Sequence, residues 1–209
     1  MPLSAFDGIV YINLDYREDR KATFLKEMER LKVKELHRIS AHYDPLNGVR
    51  GCLLSHLEAL DFMEKKGWKK WLILEDDCFF EKDLSVLKKQ VGDFFQLAKQ
   101  DWDVFLLGGR YLRQDVTQWE NVVRIRYSRW SHAYCVRNEY IPFIKRCFQL
   151  AYDQIKRDLF FTNSQQYALD LSWEPLQFKD RWYAPGKPLA FQTESFSDIE
   201  LFQRNERRG

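Results

Sequence analysis

Three consecutive carboxylates, Glu75, Asp76 and Asp77, end the short apolar run Trp71, Leu72, Ile73 and Leu74. A run of that length, preceded by the turn-like Gly67 and two lysines, predicts a buried strand. In an open α/β sheet, ligands bind at the carboxyl ends of the strands, and acids clustered there repel one another unless a cation or a basic group neutralises them. A divalent metal is the natural neutraliser. Carboxylate oxygens suit Mg²⁺ or Mn²⁺, which commonly arrive holding the phosphates of a substrate. The competing reading is that the acids cap the next segment or face solvent.

Other residues suit the same chemistry. Asn13 closes a second apolar run, Ile9 to Ile12, where its amide can pair with a base edge and Arg17 or Arg20 can face a phosphate. Equally, those arginines and their acidic neighbours can lace a first helical turn. Ser55 and His56 are the polar members of an amphipathic stretch, in which a histidine more often packs than ligates. Asp170 is the one acid between Tyr167 and Trp173 and is flanked by apolar residues. A buried lone carboxylate needs a job or a partner, and burial would raise its pKa toward the range of a general base.

The elements that must position these residues alternate. A strand over Gly8 to Leu14 leads through a polar loop into a helix from about Asp19 to Lys32, with Phe24, Leu25, Met28 and Leu31 on one face. His37 to Val49 is turn-rich and reads as a mobile loop, after which Gly51 opens a helix through Lys66. Cys78 to Phe80 extends the acidic edge, and a helix follows from Asp83 to Lys99. Trp102 to Leu107 is a buried strand that Gly108 and Gly109 end, and Val122 to Tyr127 alternates as a half-exposed strand. The stretch Ser128 to Val136 ends as another strand, and Asn138 caps a helix to about Ile155 in which Pro142 sits early. Beyond Asp158 the pattern weakens. Trp182 to Ile199 reads as irregular apart from a short strand at Leu189 to Phe191, and Gln203 to Gly209 as a frayed tail. The alternation predicts an α/β fold, with residues 1–209 as a single domain whose ordered core runs from about residue 8 to about residue 200.

Composition narrows the function classes. The 209 residues suffice for a sizeable core. The 7 Trp, 10 Tyr and 16 Phe supply rings able to stack on a base or sugar. With 33 basic against 31 acidic residues, a net charge of +2, nothing drives non-specific nucleic-acid binding. Cys52, Cys78, Cys135 and Cys147 are widely spaced, lack a C-x-x-C pair, and read as reduced thiols of a cytoplasmic protein. No basic leader and no long uncharged apolar run is present, so the expectation is a soluble, unexported chain.

Taken in order, the motifs resemble glycosyltransferase family 25, which includes lipooligosaccharide β-galactosyltransferases and collagen galactosyltransferases. They are Ile-Asn-Leu-Asp-x-Arg-x-Asp-Arg (Ile12 to Arg20), Gly-Cys-Leu-Leu-Ser-His (Gly51 to His56), Leu-Glu-Asp-Asp (Leu74 to Asp77), Asp-Trp-Asp-x-x-x-x-Gly (Asp101 to Gly108), His-Ala-Tyr (His132 to Tyr134) and a closing Ser-Asp-Ile-Glu. The resemblance implies a GT-A-type, Rossmann-like nucleotide-sugar-binding fold with a central, mostly parallel mixed sheet. It also implies a UDP-hexose donor, galactose or glucose, a saccharide or hydroxylysine-type acceptor on a glycosylated lipid or protein, Mn²⁺ (or Mg²⁺), and inversion by a single displacement. In bacterial members such chemistry serves lipopolysaccharide biosynthesis.

Carried over by position, Asn13, Asp15, Arg17 and Asp76 would line the donor site, with Gly51, Ser55 and His56 as its neighbouring wall. Glu75 and Asp77 would hold the metal with Gln192, which stands where some members have a histidine. Glu-Asp-Asp replaces the Asp-x-Asp of many GT-A enzymes. Asp170 is the expected general base, followed by Asp198 or Glu174. Two other classes compete with hexosyl transfer: a metal-dependent nucleotide-sugar hydrolase or nucleotidyltransferase, and a non-catalytic nucleotide-sugar-binding domain.

Overall fold

The computed structural model describes residues 1–158 and 164–193. Asp198, the Ser-Asp-Ile-Glu motif and the expected tail lie outside them.

Strand β1 (Gly8–Asn13) is followed by helix α1 (Glu18–Arg30), β2 (His37–Ser40), α2 (Gly48–Lys66), β3 (Lys70–Glu75), β4 (Cys78–Phe80) and α3 (Leu84–Ala98). Then come β5 (Val104–Leu106), β6 (Arg110–Val116), β7 (Val122–Arg129), β8 (Ala133–Arg137) and α4 (Ile141–Arg157). The short helices α5 (Leu169–Ser172) and α6 (Glu174–Lys179) precede β9 (Trp182–Pro185) and β10 (Ala190–Gln192). Eight strands form one sheet in the order β2-β1-β3-β8-β5-β9-β7-β6, while β4 and β10 pair separately. In the large sheet β8 and β7 run against the other six, so it is mixed but mostly parallel in direction.

The central strands are apolar on consecutive residues because both faces are covered. Val10, Ile12, Trp71 and Ile73 enter a core with Leu53 and Leu60 of α2 and Ile144 and Phe148 of α4. Ile9, Tyr11, Leu72 and Leu74, pointing the other way, meet Phe24 and Met28 of α1 and Leu87, Val91 and Phe94 of α3. Truncating a fully buried leucine such as Leu72 to alanine would cost roughly 2–5 kcal/mol. The expected α/β class holds.

Several local expectations do not. The supposed mobile loop over 37–49 contains β2, which pairs in parallel with β1 through Val10–His37 and Ile12–Ile39. Its remainder is fastened: Asp44 accepts from the backbone N–H groups of Leu46 and Asn47 at 3.0 Å and pairs with Arg50. Helix α2 accordingly begins at Gly48, because the Asn47 side chain accepts from the Arg50 N–H at 3.0 Å and caps it. The helix ends where expected, on Gly67 at φ 68°, a left-handed position that a side chain would disfavour. Asn138 caps nothing; it opens a 3-10 turn, and α4 starts at Ile141 without a side-chain cap. Strand β6 is exposed along nearly its whole length, so no apolar alternation marked it. Strand β9 is an interior strand of four residues inside the stretch expected to be irregular, short enough for its last residue, Pro185, and the following Gly186 to mask it.

Candidate active site at the carboxylate edge

Strands β1, β2 and β3 end together at Asn13, Ser40 and Glu75, and β8 begins beside them, with Ala133 opposite Leu74. A cavity of about 450 Å³ opens on that edge. Of the residues expected in the site, Asn13, Ser55, His56, Glu75, Asp76, Asp77, Asp170 and Gln192 all line it. Residues 42 to 179 positions from Asn13 in the chain are gathered there, Glu75 brought beside Ile12 by the parallel register of β1 and β3.

The three acids differ in their partners. Asp76 is buried, accepting from Asn13 Nδ2 at 2.7 Å and from Arg20 Nη1 at 3.0 Å. Asp77 lies 3.5 Å from Arg20 Nη1 and accepts weakly from Gln192 Nε2 at 3.5 Å. Glu75 accepts from Ser131 Oγ at 3.0 Å and lies 3.9 Å from His56 Nε2. Burial pushes the pKa of all three up, against the pull of Asn13 and Arg20 on Asp76 and of Arg20 on Asp77. For Glu75, burial and then the charge of Asp77 raise it to about 8. Left alone at neutral pH, Glu75 keeps its proton.

His56 is buried, and desolvation lowers its pKa to about 3, so the ring is neutral and its Nδ1 pairs with the Tyr134 hydroxyl at 2.8 Å. Ser55 donates to the Gly51 carbonyl at 2.7 Å and accepts from the His42 N–H at 2.8 Å, tying the loop after β2 to α2.

Asn13 does not hold out its amide to a base. Its Nδ2 donates to Asp76 and to the Arg17 carbonyl, and its Oδ1 accepts from Arg38 Nε at 3.1 Å, so it fixes the acid cluster from behind. Asp15, Arg17 and Gly51 are not in the cavity lining. Asp15 is exposed, held by Arg38 and by Ser40 Oγ at 2.8 Å, and Arg17 forks onto Asp19 with both contacts at 3.0 Å. Gly51 works by its size: a Cβ there would stand 2.5 Å from the His42 carbonyl oxygen, so glycine lets that loop close on α2. The arginine in the cavity is Arg20, three positions beyond Arg17 and one helical turn along, a choice the sequence left open.

Asp170 is half-buried, not enclosed among apolar neighbours. Helix α5 is a single turn that puts Leu169 into the core and leaves Asp170 on the cavity, accepting the Trp130 N–H at 2.9 Å. Glu174 is exposed at the start of α6. Trp130 and Ser131, which also line the cavity, were not singled out as site residues. The signal was the polar break in Ser-Arg-Trp-Ser-His-Ala-Tyr between two strands.

Among the described residues no group of three or more His, Cys, Asp and Glu side chains is arranged to hold a metal. Glu75 and Asp77 nevertheless sit side by side at the strand edge, both pushed up chiefly by burial, with the charge of Asp77 raising Glu75 further, so a cation placed between them would favour the ionised form of each. Two carboxylates with open positions fit Mg²⁺ or Mn²⁺ of the kind that keeps its water and substrate phosphates as remaining ligands. Gln192 would join them only by presenting its amide oxygen in place of the N–H it gives Asp77.

The sheet order and the acid-bearing strand edge define a GT-A-like fold. In agreement, the chain superposes with a TM-score of 0.53 and 8% identity on a glycosyltransferase involved in the glycosylation of the major capsid of PBCV-1, covering 96% of this chain and 98% of that one. No family model matches the chain. Procollagen galactosyltransferase 2 of Homo sapiens is 24% identical over 165 residues, 64% of this chain and 26% of that protein. Procollagen galactosyltransferase 1 of Danio rerio is 29% identical over 166 residues, 63% of this chain and 27% of that protein. The resemblance to glycosyltransferase family 25 is thereby borne out, and the chain spans about a quarter of the length of these curated relatives.

Proposed function

We propose that the protein is a metal-dependent inverting glycosyltransferase that moves a hexose, galactose or glucose, from a UDP-sugar to a hydroxyl of a saccharide or hydroxylysine-type acceptor. The observation that carries this reading is the crowding of Glu75, Asp76 and Asp77 at the carboxyl end of β3, with Glu75 raised to about 8. Such a site is short of positive charge and suits a cation brought in on a diphosphate. The similarity to galactosyltransferases supports it.

In this reading the donor diphosphate lies over the acid cluster, and a bound Mn²⁺ or Mg²⁺ would supply charge to the departing UDP, held by Glu75 and Asp77. Arg20, oriented by Asp76, keeps the cluster from closing on itself. The acceptor oxygen forms its bond to the anomeric carbon as the bond to the β-phosphate oxygen breaks. Asp170 takes the acceptor's hydroxyl proton, its carboxylate aimed by the Trp130 N–H. Attack opposite the leaving group inverts the anomeric centre. The described residues act as one domain, and the four unpaired thiols suit a reducing compartment such as the cytoplasm. No helix among the described residues is long and apolar enough to cross a membrane.

The ion pairs of Arg20 with Asp76 and Asp77, together with the lack of a ready-made metal cluster among the described residues, favour a second reading, a nucleotide-sugar-binding domain without turnover. Thermal shift with UDP-galactose and UDP-glucose in Mn²⁺, followed by UDP release with a panel of acceptors, decides. Saturating donor at 100 times its Kd should stabilise the fold by about 2.7 kcal/mol. Binding without acceptor-dependent UDP release selects the second reading, and no stabilisation overturns both.

A further inference from the structure

Trp130 is the cavity residue whose backbone conformation disagrees with its type. It follows β7 at φ 68°, in the left-handed region where a bulky side chain is strained and glycine or asparagine is at ease. The residues around it hold it there. Its own N–H donates to Asp170, Ser131 Oγ donates to Glu75 at 3.0 Å, and the His132 carbonyl accepts the Glu75 N–H at 2.9 Å. These contacts need only backbone and a hydroxyl, and none of them needs an indole. The ring nevertheless lines the cavity, is 51% exposed, and makes no ring contact with another aromatic among the described residues.

A large flat apolar face standing open beside a carboxylate suits a neutral hydroxylated ring, whose C–H face stacks on the indole while its hydroxyls donate to the acid. Asp170 is the carboxylate that would take the proton of the acceptor's hydroxyl, so a ring stacked on the indole beside it is the acceptor's. We propose that Trp130 is the platform of the acceptor subsite, stacking on a pyranose whose hydroxyl is presented to Asp170. The name acceptor rests on the glycosyltransferase reading; the pyranose stacking does not.

Titrations of wild type and of Trp130→Phe, Trp130→Ala and Trp130→Gly with lactose, cellobiose and methyl β-galactoside, read by tryptophan fluorescence, test the stacking without any turnover. One of these saccharides should quench wild type and not the Ala or Gly variants, with Phe intermediate. Gly removes the backbone strain, so it should melt no lower than wild type and exclude misfolding as the cause. Where transfer is measurable, Trp130→Gly should raise the acceptor KM at least tenfold and leave UDP affinity within twofold. A quench that survives in Trp130→Gly, no saccharide binding by wild type, or a UDP affinity that falls with the acceptor KM unchanged would each overturn the proposal. Saccharide binding through Trp130 without any UDP-sugar binding would uphold it and sink the glycosyltransferase reading instead.

Discussion

The two walls of the cavity are built differently. On the side of β1, β3 and α2, Asn13, Ser55, His56 and Asp76 are buried and tied by hydrogen bonds to protein partners. On the other side, Trp130, Asp170 and Gln192 stand partly open, each held by one or two contacts. A wall whose buried polar groups are fastened by hydrogen bonds cannot rearrange cheaply and is suited to holding a fixed field on a charged group. A wall with open faces is suited to touching a ligand that varies. In the proposed reaction the first serves the diphosphate and the second the acceptor.

The largest effect should come from the charged wall. Asp77→Ala removes one of the two acids offered to a cation, and metal-dependent turnover should fall below a tenth of wild type, a loss of more than about 1.4 kcal/mol in the barrier. The fold should survive, since Asp77 shares its nearest cation, Arg20, with Asp76. Retained activity in a folded variant would show that the cation lies elsewhere. Next comes the open wall: Asp170→Asn should lower kcat by about 10²–10⁴-fold while UDP-sugar and Mn²⁺ affinities stay near wild type. The asparagine oxygen can still accept the Trp130 N–H, so the melt should hold. A near-normal kcat with a normal melt would end the assignment of Asp170 as base.

The charged wall was the more legible of the two in the sequence, because its chemistry lies in consecutive or helix-spaced residues: Glu75 to Asp77 at a strand end, and Ser55 with His56 on one helix. The burial of β1 and β3 on both faces followed from unbroken apolar runs. What the sequence misplaced depends on direction more than identity. Arg17 and Arg20 are equivalent as residue types, and only the start of α1 decides which one reaches the cavity. Asp170 read as buried because its neighbours are apolar, yet a one-turn helix sends adjacent side chains to opposite environments. Strand β6 carried no apolar face to announce it, and β9 is four residues long and ends on a proline. Asp198 falls outside the described residues.

Glu75 offers a smaller test of how tightly the charged wall is wound. Its folded pKa, about 8, lies above its ordinary 4.5. Between those values the folded state holds a proton that the unfolded state releases, so this group's contribution to stability falls as pH rises from about 4.5 to about 8. Glu75→Gln keeps an acceptor for Ser131 and removes that dependence. The variant should melt close to wild type near pH 4.5 and progressively above it toward pH 8, by a few kcal/mol at most, roughly 2–4 °C for each. Mn²⁺ with UDP should narrow the gap by stabilising wild type alone. A gap that does not grow with pH would mean that Glu75 ionises normally and that the cluster lacks the charge deficit proposed for it.

The smallest effect is expected at Arg17, and it sharpens the contrast from the other direction. Sequence position made Arg17 a donor-site residue, but in the structure its guanidinium forks onto the exposed Asp19 while Arg20 enters the cavity. That contact holds Asp19 at about 2 by hydrogen bonding. What Arg17 gives the acid wall is its backbone carbonyl, which accepts from Asn13 Nδ2 at 3.2 Å and is indifferent to the side chain. Arg17→Ala should therefore change UDP affinity by less than about threefold, a difference well under 1.4 kcal/mol, when titrated calorimetrically in Mn²⁺. The charge of Arg17 does lower the pKa of Asp77, so a slight weakening is the expected sign. A tenfold loss would show that this arginine leaves Asp19 for the diphosphate when the donor binds, and the charged wall would then be less fixed than its hydrogen bonds imply.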